Sequence, residues 1–86
     1  MVRQATTELS QALTPRQQAV LGLVVEYVAR HGYSPTIRDI QREAGISSTS
    51  VVDYTLDALQ AAGYLQRTPG TSRSIVLLPL AHLVWQ

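Results

Sequence analysis

The chain has 86 residues, of which 45% are hydrophobic and 15% are charged, as expected for one globular domain with a modest core. It contains no cysteine, which excludes disulfides, thiolate metal sites and a cysteine nucleophile. Seven basic and six acidic side chains give a formal net charge of only +1, so charge favours no class of partner. Because no apolar run is long enough to span a bilayer or to form a signal peptide, we expect a cytoplasmic protein without a membrane segment.

A polar amino-terminal arm (residues 1–12) precedes the first predicted helix, which begins after its expected N-cap residue, Thr14. Pro15 suits a first helical turn, and Gln17 lies three residues after Thr14, which is the spacing of a capping box. Gly32 is expected to end this helix. Its apolar face is formed by Val20, Leu21, Leu23, Val24, Tyr27 and Val28.

Two further helices are predicted, separated by a short turn. The second follows Thr36, with Asp39 three residues on, and is expected to end at Gly45. Four hydroxyl residues at positions 47–50 come next, and either Ser47 or Ser48 is expected to cap the third helix. This third helix is predicted from about Ser48 to Ala62, with Val52, Leu56 and Leu59 facing inward.

The remainder of the chain predicts a hairpin and an apolar tail. Short extended runs at residues 64–67 and 74–78 flank turn-forming residues at 68–73, which is typical of an antiparallel hairpin with a long tip. Pro79 blocks simple continuation of the second strand, so residues 79–86 form a separate tail. Its apolar side chains are expected either to cover the helical core or to contact a second copy or another partner.

The order of these elements predicts the fold. A short helix, a glycine turn, a hydroxyl-rich cap, a longer amphipathic helix and a hairpin favour an α+β, mainly α, winged helix-turn-helix over residues 13–78, in which three helices precede a two-stranded antiparallel hairpin. Two short helices joined by a glycine are common in small domains. The prediction therefore rests on the ordered set.

Residues 13–78 resemble the amino-terminal DNA-binding domain of the LexA family of SOS-response repressors. The resemblance rests on Leu13-Thr14-Pro15-Arg16-Gln17-Gln18, Pro35-Thr36 before Ile40, Gly45 before the hydroxyl run, Leu56-Asp57-Ala58-Leu59, and Gly63-Tyr64-Leu65 leading to Arg73-Ser74-Ile75. It implies sequence-specific binding of double-stranded DNA by a transcriptional repressor. The third helix of such a protein enters the major groove, and its wing touches the DNA backbone.

The resemblance also marks what is not expected of this chain. Family members carry a self-cleaving peptidase domain with a Ser-Lys dyad, whereas this chain lacks the length for that domain and contains no lysine. We therefore expect no self-cleavage and no enzymatic activity. This chain has Ser50 and Tyr54 at positions where some family members have Asn and Glu. We therefore do not expect it to recognise the operator sequence of the family.

The outward residues at the start of the third helix are the candidates for base reading. They are Ser48, Thr49, Ser50, Val51, Asp53 and Tyr54. The resemblance points to all of these except Thr49. Val51 is suited to pack on a thymine methyl group, and Asp53 is suited to accept a hydrogen bond from cytosine. Tyr54 has an alternative interpretation as a half-buried packing residue.

Hydroxyl and guanidinium groups at the helix starts and in the wing are the candidates for contacts with the DNA backbone, which dominates affinity. They are Thr14, Arg16, Thr36, Arg38, Arg67, Thr71, Ser72 and Arg73. The alternative for each arginine is a solvated face or a surface ion pair, for example of Arg38 or Arg42 with a nearby acid. Arg73 is the first choice, because no structural need for its guanidinium is evident from the sequence.

Cofactors and small-molecule ligands are not expected. His31 and His82 are far apart and lack metal-ligand spacing, and the chain has no glycine-rich phosphate loop. The expected partners are double-stranded DNA and a second copy in a homodimer, with the tail as one candidate contact. Two alternatives remain: a winged-helix module for protein interaction, and the DNA-binding fragment of a longer self-cleaving repressor.

Overall fold

The computed structural model describes residues 13–68, 70–71 and 73–84. Three helices come first, α1 (Pro15–His31), α2 (Ile37–Ala44) and α3 (Thr49–Ala61), followed by strands β1 (Leu65–Gln66) and β2 (Val76–Leu77) and a short helix α4 (Pro79–Val84). The predicted fold class is confirmed, with α4 as an addition. The predicted arm at residues 1–12, the wing residue Ser72 and the tail residue Trp85 lie outside the described residues.

The starts of α1 and α2 are fixed by two capping boxes. The Thr14 hydroxyl accepts a hydrogen bond from the Gln17 N–H at 3.1 Å, and the Gln17 side chain accepts one from the Thr14 N–H at 3.0 Å. Thr36 and Asp39 make the same reciprocal pair at 3.0 Å in both directions. Each cap pairs amides that have no partner inside the helix, and such a cap contributes about 1 kcal/mol. Both predicted caps are confirmed.

The turn between α2 and α3 is short because a glycine ends one helix and a serine begins the next. Gly45 has a backbone φ of +70°, in the left-handed region that residues other than glycine adopt only at a cost in free energy. Its N–H donates to the Gln41 carbonyl. Ser48, rather than Ser47, caps α3, with its hydroxyl accepting from the Ser50 N–H at 3.2 Å. The predicted bounds of α3 are correct to within one residue at each end.

The core lies between the first three helices and β1. Its largest fully buried apolar side chains are Val20, Leu21, Val24, Ile40, Val52, Leu56, Leu59 and Leu65. Full burial of one such side chain contributes about 1.5–3 kcal/mol, so this cluster dominates the packing of α3 against α1 and α2. The predicted inward face of α3 is confirmed.

The hairpin is shorter than the sequence predicts. The antiparallel strands pair Leu65 with Leu77 and Gln66 with Val76. Beyond them the Ser74 hydroxyl accepts from the N–H of Thr68 and donates to its carbonyl, both at 3.1 Å, which closes the base of the tip. Two residue pairs make a marginal sheet, so the position of this wing must depend on contacts outside the strands.

The tail forms a helix that the sequence does not predict. Proline ends a strand but also fits the first turn of a helix, and Pro79 begins α4. Ala81 and Val84 of α4 are buried in the common core, so residues 79–84 cover the helical core, as one of the two alternatives predicted. Leu83 faces outward and is 49% exposed. None of the described helices is long and apolar enough to cross a bilayer.

Candidate nucleic-acid interface

The outward edge of α3 carries an accessible row of polar and aromatic side chains. Thr49, Ser50 and Asp53 are exposed, while Ser48 and Val51 are half-buried. Tyr54 is 76% exposed, so the alternative that made it a half-buried packing residue is wrong. Because the α2–α3 turn places this row at the start of a helix, the geometry is the one by which a helix presents its first turns to base edges.

Two grooves collect most of the remaining predicted residues. An open groove of about 540 Å³ runs between the helix-turn-helix and the wing, and among the predicted residues it is lined by Thr36, Arg38, Asp53, Arg67, Thr71 and Arg73. A second groove, beside the turn before α3, brings Arg16 together with Val51. The structure thus brings the start of α2, the wing and α3 to one surface.

The hydroxyls at the helix starts are already engaged within the chain. Thr14 and Thr36 each accept the amide hydrogen bond of a capping box. The neighbouring arginines differ from them, because Arg16 and Arg38 are exposed and form no ion pair among the described residues. The cations at the two helix starts are therefore accessible to an anion, in the position where the helix dipole also favours one.

Arg67 takes part in a cluster that we name the helix–wing clamp, formed by Arg67, Asp53 and Asp57. Its Nη2 donates to the carboxylates of Asp53 at 2.5 Å and Asp57 at 2.8 Å, and to the Asp53 carbonyl at 3.1 Å. Desolvation lowers the pKa of Arg67, but its hydrogen bonds to Asp57 and Asp53 and the negative charges of those carboxylates outweigh it and raise that pKa above its ordinary value. The ion-pair alternative therefore describes Arg67 in the free protein.

Arg73 is also held within the chain. Its Nη1 donates to the Ser34 carbonyl at 2.9 Å and lies 3.4 Å from the Asp39 carboxylate. The guanidinium carbon sits 4.6 Å from the centre of the Tyr33 ring, a cation–π geometry. Arg73 reaches these partners from a left-handed backbone, with φ +54°. The expectation that nothing structural requires this guanidinium is wrong, because the arginine ties the wing to the segment before α2.

Asp39 is the polar centre that receives this wing contact. The Thr36 N–H is the main cause that lowers the pKa of Asp39 to about 2, against an opposing desolvation, with further help from the Thr36 hydroxyl, Tyr27 and Arg42. The Tyr27 hydroxyl donates to the Asp39 carboxylate at 3.1 Å, and Arg42 donates at 2.9 Å. The predicted pairing of Arg42 with a nearby acid is confirmed.

Sequence reasoning missed several partners of the wing. Asp57 was noted only as part of a motif, and Tyr27 only as an apolar residue. Ser34 preceded a proline without an assigned role. Asp57 had a local signal, since it lies four residues after Asp53 on the same face of α3. Ser34 and Tyr27 had none, because they lie 39 and 46 residues from Arg73 in sequence, with the Tyr27 hydroxyl 3.4 Å from the Arg73 Nη1. Among the described residues, no group of three or more His, Asp or Glu is arranged to hold a metal ion.

A short helix, a tight turn and a second helix with an accessible first edge, followed by a hairpin packed beside it, define a winged helix-turn-helix, a fold class used for reading DNA. The chain belongs to the LexA DNA-binding domain family, whose model matches residues 10–74.

Comparison with curated proteins supports the same assignment. The chain is 47% identical over 66 residues to the LexA repressor of Herpetosiphon aurantiacus, an alignment covering 77% of this chain and 31% of the relative. It is 48% identical over 67 residues to LexA repressor 2 of Geobacter sulfurreducens, covering 78% and 33%. It is 41% identical over 70 residues to the LexA repressor of Frankia casuarinae, covering 81% and 27%. The chain therefore spans about a third of the length of these relatives, and the matched third is a DNA-binding, non-catalytic domain.

Proposed function

We propose that this chain binds double-stranded DNA in a sequence-specific manner and represses transcription. The observation that carries the proposal is the exposed first edge of α3 behind a capped turn, in a chain of the LexA DNA-binding domain family. In this mode α3 lies in the major groove, where base edges present distinct donors and acceptors. The wing then lies over the neighbouring backbone.

The base contacts in this proposal come from the start of α3. Thr49 and Ser50 offer exposed hydroxyls that can donate or accept, Val51 offers an apolar contact for a thymine methyl group, and Tyr54 adds a large exposed ring. Ser48 uses its oxygen to cap the helix and keeps its hydroxyl proton for an acceptor. A change at Ser50 is expected to alter preference at one base position by about 1–3 kcal/mol.

Affinity in this proposal comes mainly from the two accessible arginines at the helix starts. Arg16 and Arg38 provide the charge, while Thr14 and Thr36 cap their helices with the hydroxyl oxygen and keep the hydroxyl proton for a phosphate, and the exposed Thr71 adds a hydroxyl in the wing. Phosphate contacts of this kind release counterions and make binding dependent on salt, with a slope of about 0.9 for each phosphate. Arg38→Ala is therefore expected to weaken all DNA sequences alike and to reduce the slope by about one.

We also propose that the protein acts as a homodimer on an operator with two half-sites. The domain has a formal net charge of only +1 and one reading helix, so a single copy is expected to bind weakly. Pairing two such domains on one DNA raises the effective concentration of the second and doubles the sequence that is read. The exposed Leu83 on α4 is one candidate contact.

The decisive experiment is selection of bound sequences from a random double-stranded DNA pool, followed by titration of the enriched sequence at several salt concentrations. We expect an enriched motif, repeated at a fixed half-site spacing if the dimer is correct. Arg30→Ala is the matched control for Arg38→Ala, since it removes the same charge and Arg30 lines neither groove. Binding without sequence preference, or a stoichiometric protein partner in place of any DNA, would overturn the proposal.

A further inference from the structure

We propose that Arg67 is a positioning residue that holds the wing against α3 and masks two carboxylates on that helix, instead of contacting a phosphate itself. The inference deepens the proposed DNA binding and rests on it for its functional consequence. The helix–wing clamp itself is a property of the free protein.

The geometry places Arg67 between two elements. It follows β1 directly, at the base of the wing, while Asp53 and Asp57 lie four residues apart on one face of α3. All three hydrogen bonds of the clamp converge on the Nη2 of Arg67, and its side chain is only 12% exposed. The side chain is largely buried and its Nη2 is given to acceptors on α3, so Arg67 is a poorer candidate for a phosphate contact than the exposed Arg16 and Arg38.

The charges explain why the clamp matters for binding. The side chains of Asp53 and Asp57 remain 55% and 68% exposed on the side of α3 that faces the groove. Two like charges at this spacing repel each other and also repel DNA. With Arg67 in place the cluster carries a net charge of −1, and without it the charge is −2. Loss of Arg67 therefore weakens DNA binding through the exposed carboxylates and through the released wing.

The clamp also changes the set of base-reading residues. The Asp53 carboxylate is engaged by Arg67, and so is its carbonyl. An acceptor held in this way is not directed at a base, so Asp53 belongs to the clamp, and the reading set is confined to the residues from Ser48 to Val51 with Tyr54. Asp53→Asn is accordingly expected to leave the preferred DNA sequence unchanged.

A double-mutant cycle tests the assignment. Arg67→Gln is compared in two backgrounds, the native chain and the D53N/D57N variant, by titration with the selected DNA. The clamp predicts a loss of about tenfold in the native background and less than about threefold in the Asn background, with little change in salt slope. Arg67→Lys, which keeps the charge, is expected to recover part of the loss. A phosphate-contacting Arg67 would instead give the same loss in both backgrounds and a slope reduced by about 0.9.

The native chain, Arg67→Gln, the D53N/D57N variant and the variant that combines all three substitutions are also compared by thermal unfolding without DNA. We expect Arg67→Gln to lower Tm by about 4 °C in the native background and by no more than about 1 °C in the Asn background. If the Tm effects simply add, the clamp is refuted even when DNA binding persists. If they are coupled but no protein in the set binds DNA, the proposed function fails and the clamp stands.

Discussion

The carboxylate of Asp39 offers a direct test of how the wing is joined to the helices. Asp39→Asn keeps the size of the side chain and an oxygen that can accept from the Thr36 N–H. It removes the charge that Arg42 and Arg73 face at 2.9 and 3.4 Å. The substitution therefore isolates the electrostatic part of this site, and the cap remains available.

The size of the effect follows from the pKa of Asp39. That pKa is lowered from 3.8 to about 2, and the difference corresponds to about 2.5 kcal/mol at 1.36 kcal/mol per pKa unit. The hydrogen bond from the Thr36 N–H causes most of this shift, and the exposed Arg42 adds a smaller, solvent-screened part, so we expect about 1–2 kcal/mol in practice. Because the pKa in the folded state is below the unfolded value, this stabilisation is complete well above pH 3.8 and is lost as the pH falls through about 2.

The assay is urea unfolding of both proteins, followed by circular dichroism, at pH values between 7 and 2. We expect the native chain to be more stable than Asp39→Asn by about 1–2 kcal/mol at pH 7, a gap that closes between about pH 5 and pH 2. Both proteins contain the same other carboxylates, so the contribution of those groups to the pH dependence cancels in the difference between the two free energies of unfolding. A gap that stays constant down to pH 2 would refute the argument, since the loss would then be steric or come from the cap.

Four further outcomes test the fold and the interface. Leu56→Ala is expected to cost about 2–5 kcal/mol in urea unfolding, whereas Val76→Ala on the exposed face of β2 stays within about 0.5 kcal/mol. Thr36→Ala removes a helix cap and should lower the free energy of unfolding by about 1 kcal/mol. Equal stability of the native chain and the variant would contradict this. Gly45→Ala is expected to lower Tm, because φ +70° costs an alanine about 1–2 kcal/mol. Tyr54→Ala should leave Tm unchanged and weaken binding to the selected DNA, and a large loss of Tm would contradict its outward position.

The helices could be predicted from the sequence because their signals are local. Thr14 and Thr36 each have a capping partner three residues later, and Gly45 ends its helix through its own backbone freedom. The inward face of α3 follows from the spacing of its leucines and Val52. Helix α4 was missed because its local signal is ambiguous: Pro79 is compatible both with the end of a strand and with the start of a helix. Only the burial of Ala81 and Val84 in the core distinguishes a helix from an extended tail at this position.

The roles of the wing arginines could not be predicted in this way. Arg67 meets its acids 10 and 14 residues away, and Arg73 meets the Ser34 carbonyl 39 residues away. Such contacts depend on how the hairpin docks on the helices, and no spacing rule expresses that docking. The sequence predicted that both arginines contact the DNA backbone, and this stays a prediction. Their partners inside the chain could not be read from the sequence.

The positions of the arginines explain how a domain with so little net charge can serve as a DNA reader. The hairpin has only two strand pairs, and it is held on the helices by the buried side chains of Leu65 and Ile75 together with the hydrogen bonds of Arg67 and Arg73. Arg16 and Arg38 remain accessible at the helix starts. Two phosphate contacts give weak binding at physiological salt, where stable complexes use several. In the proposed homodimer, joining two copies on one operator raises the effective concentration of the second copy and supplies the affinity that a single copy lacks.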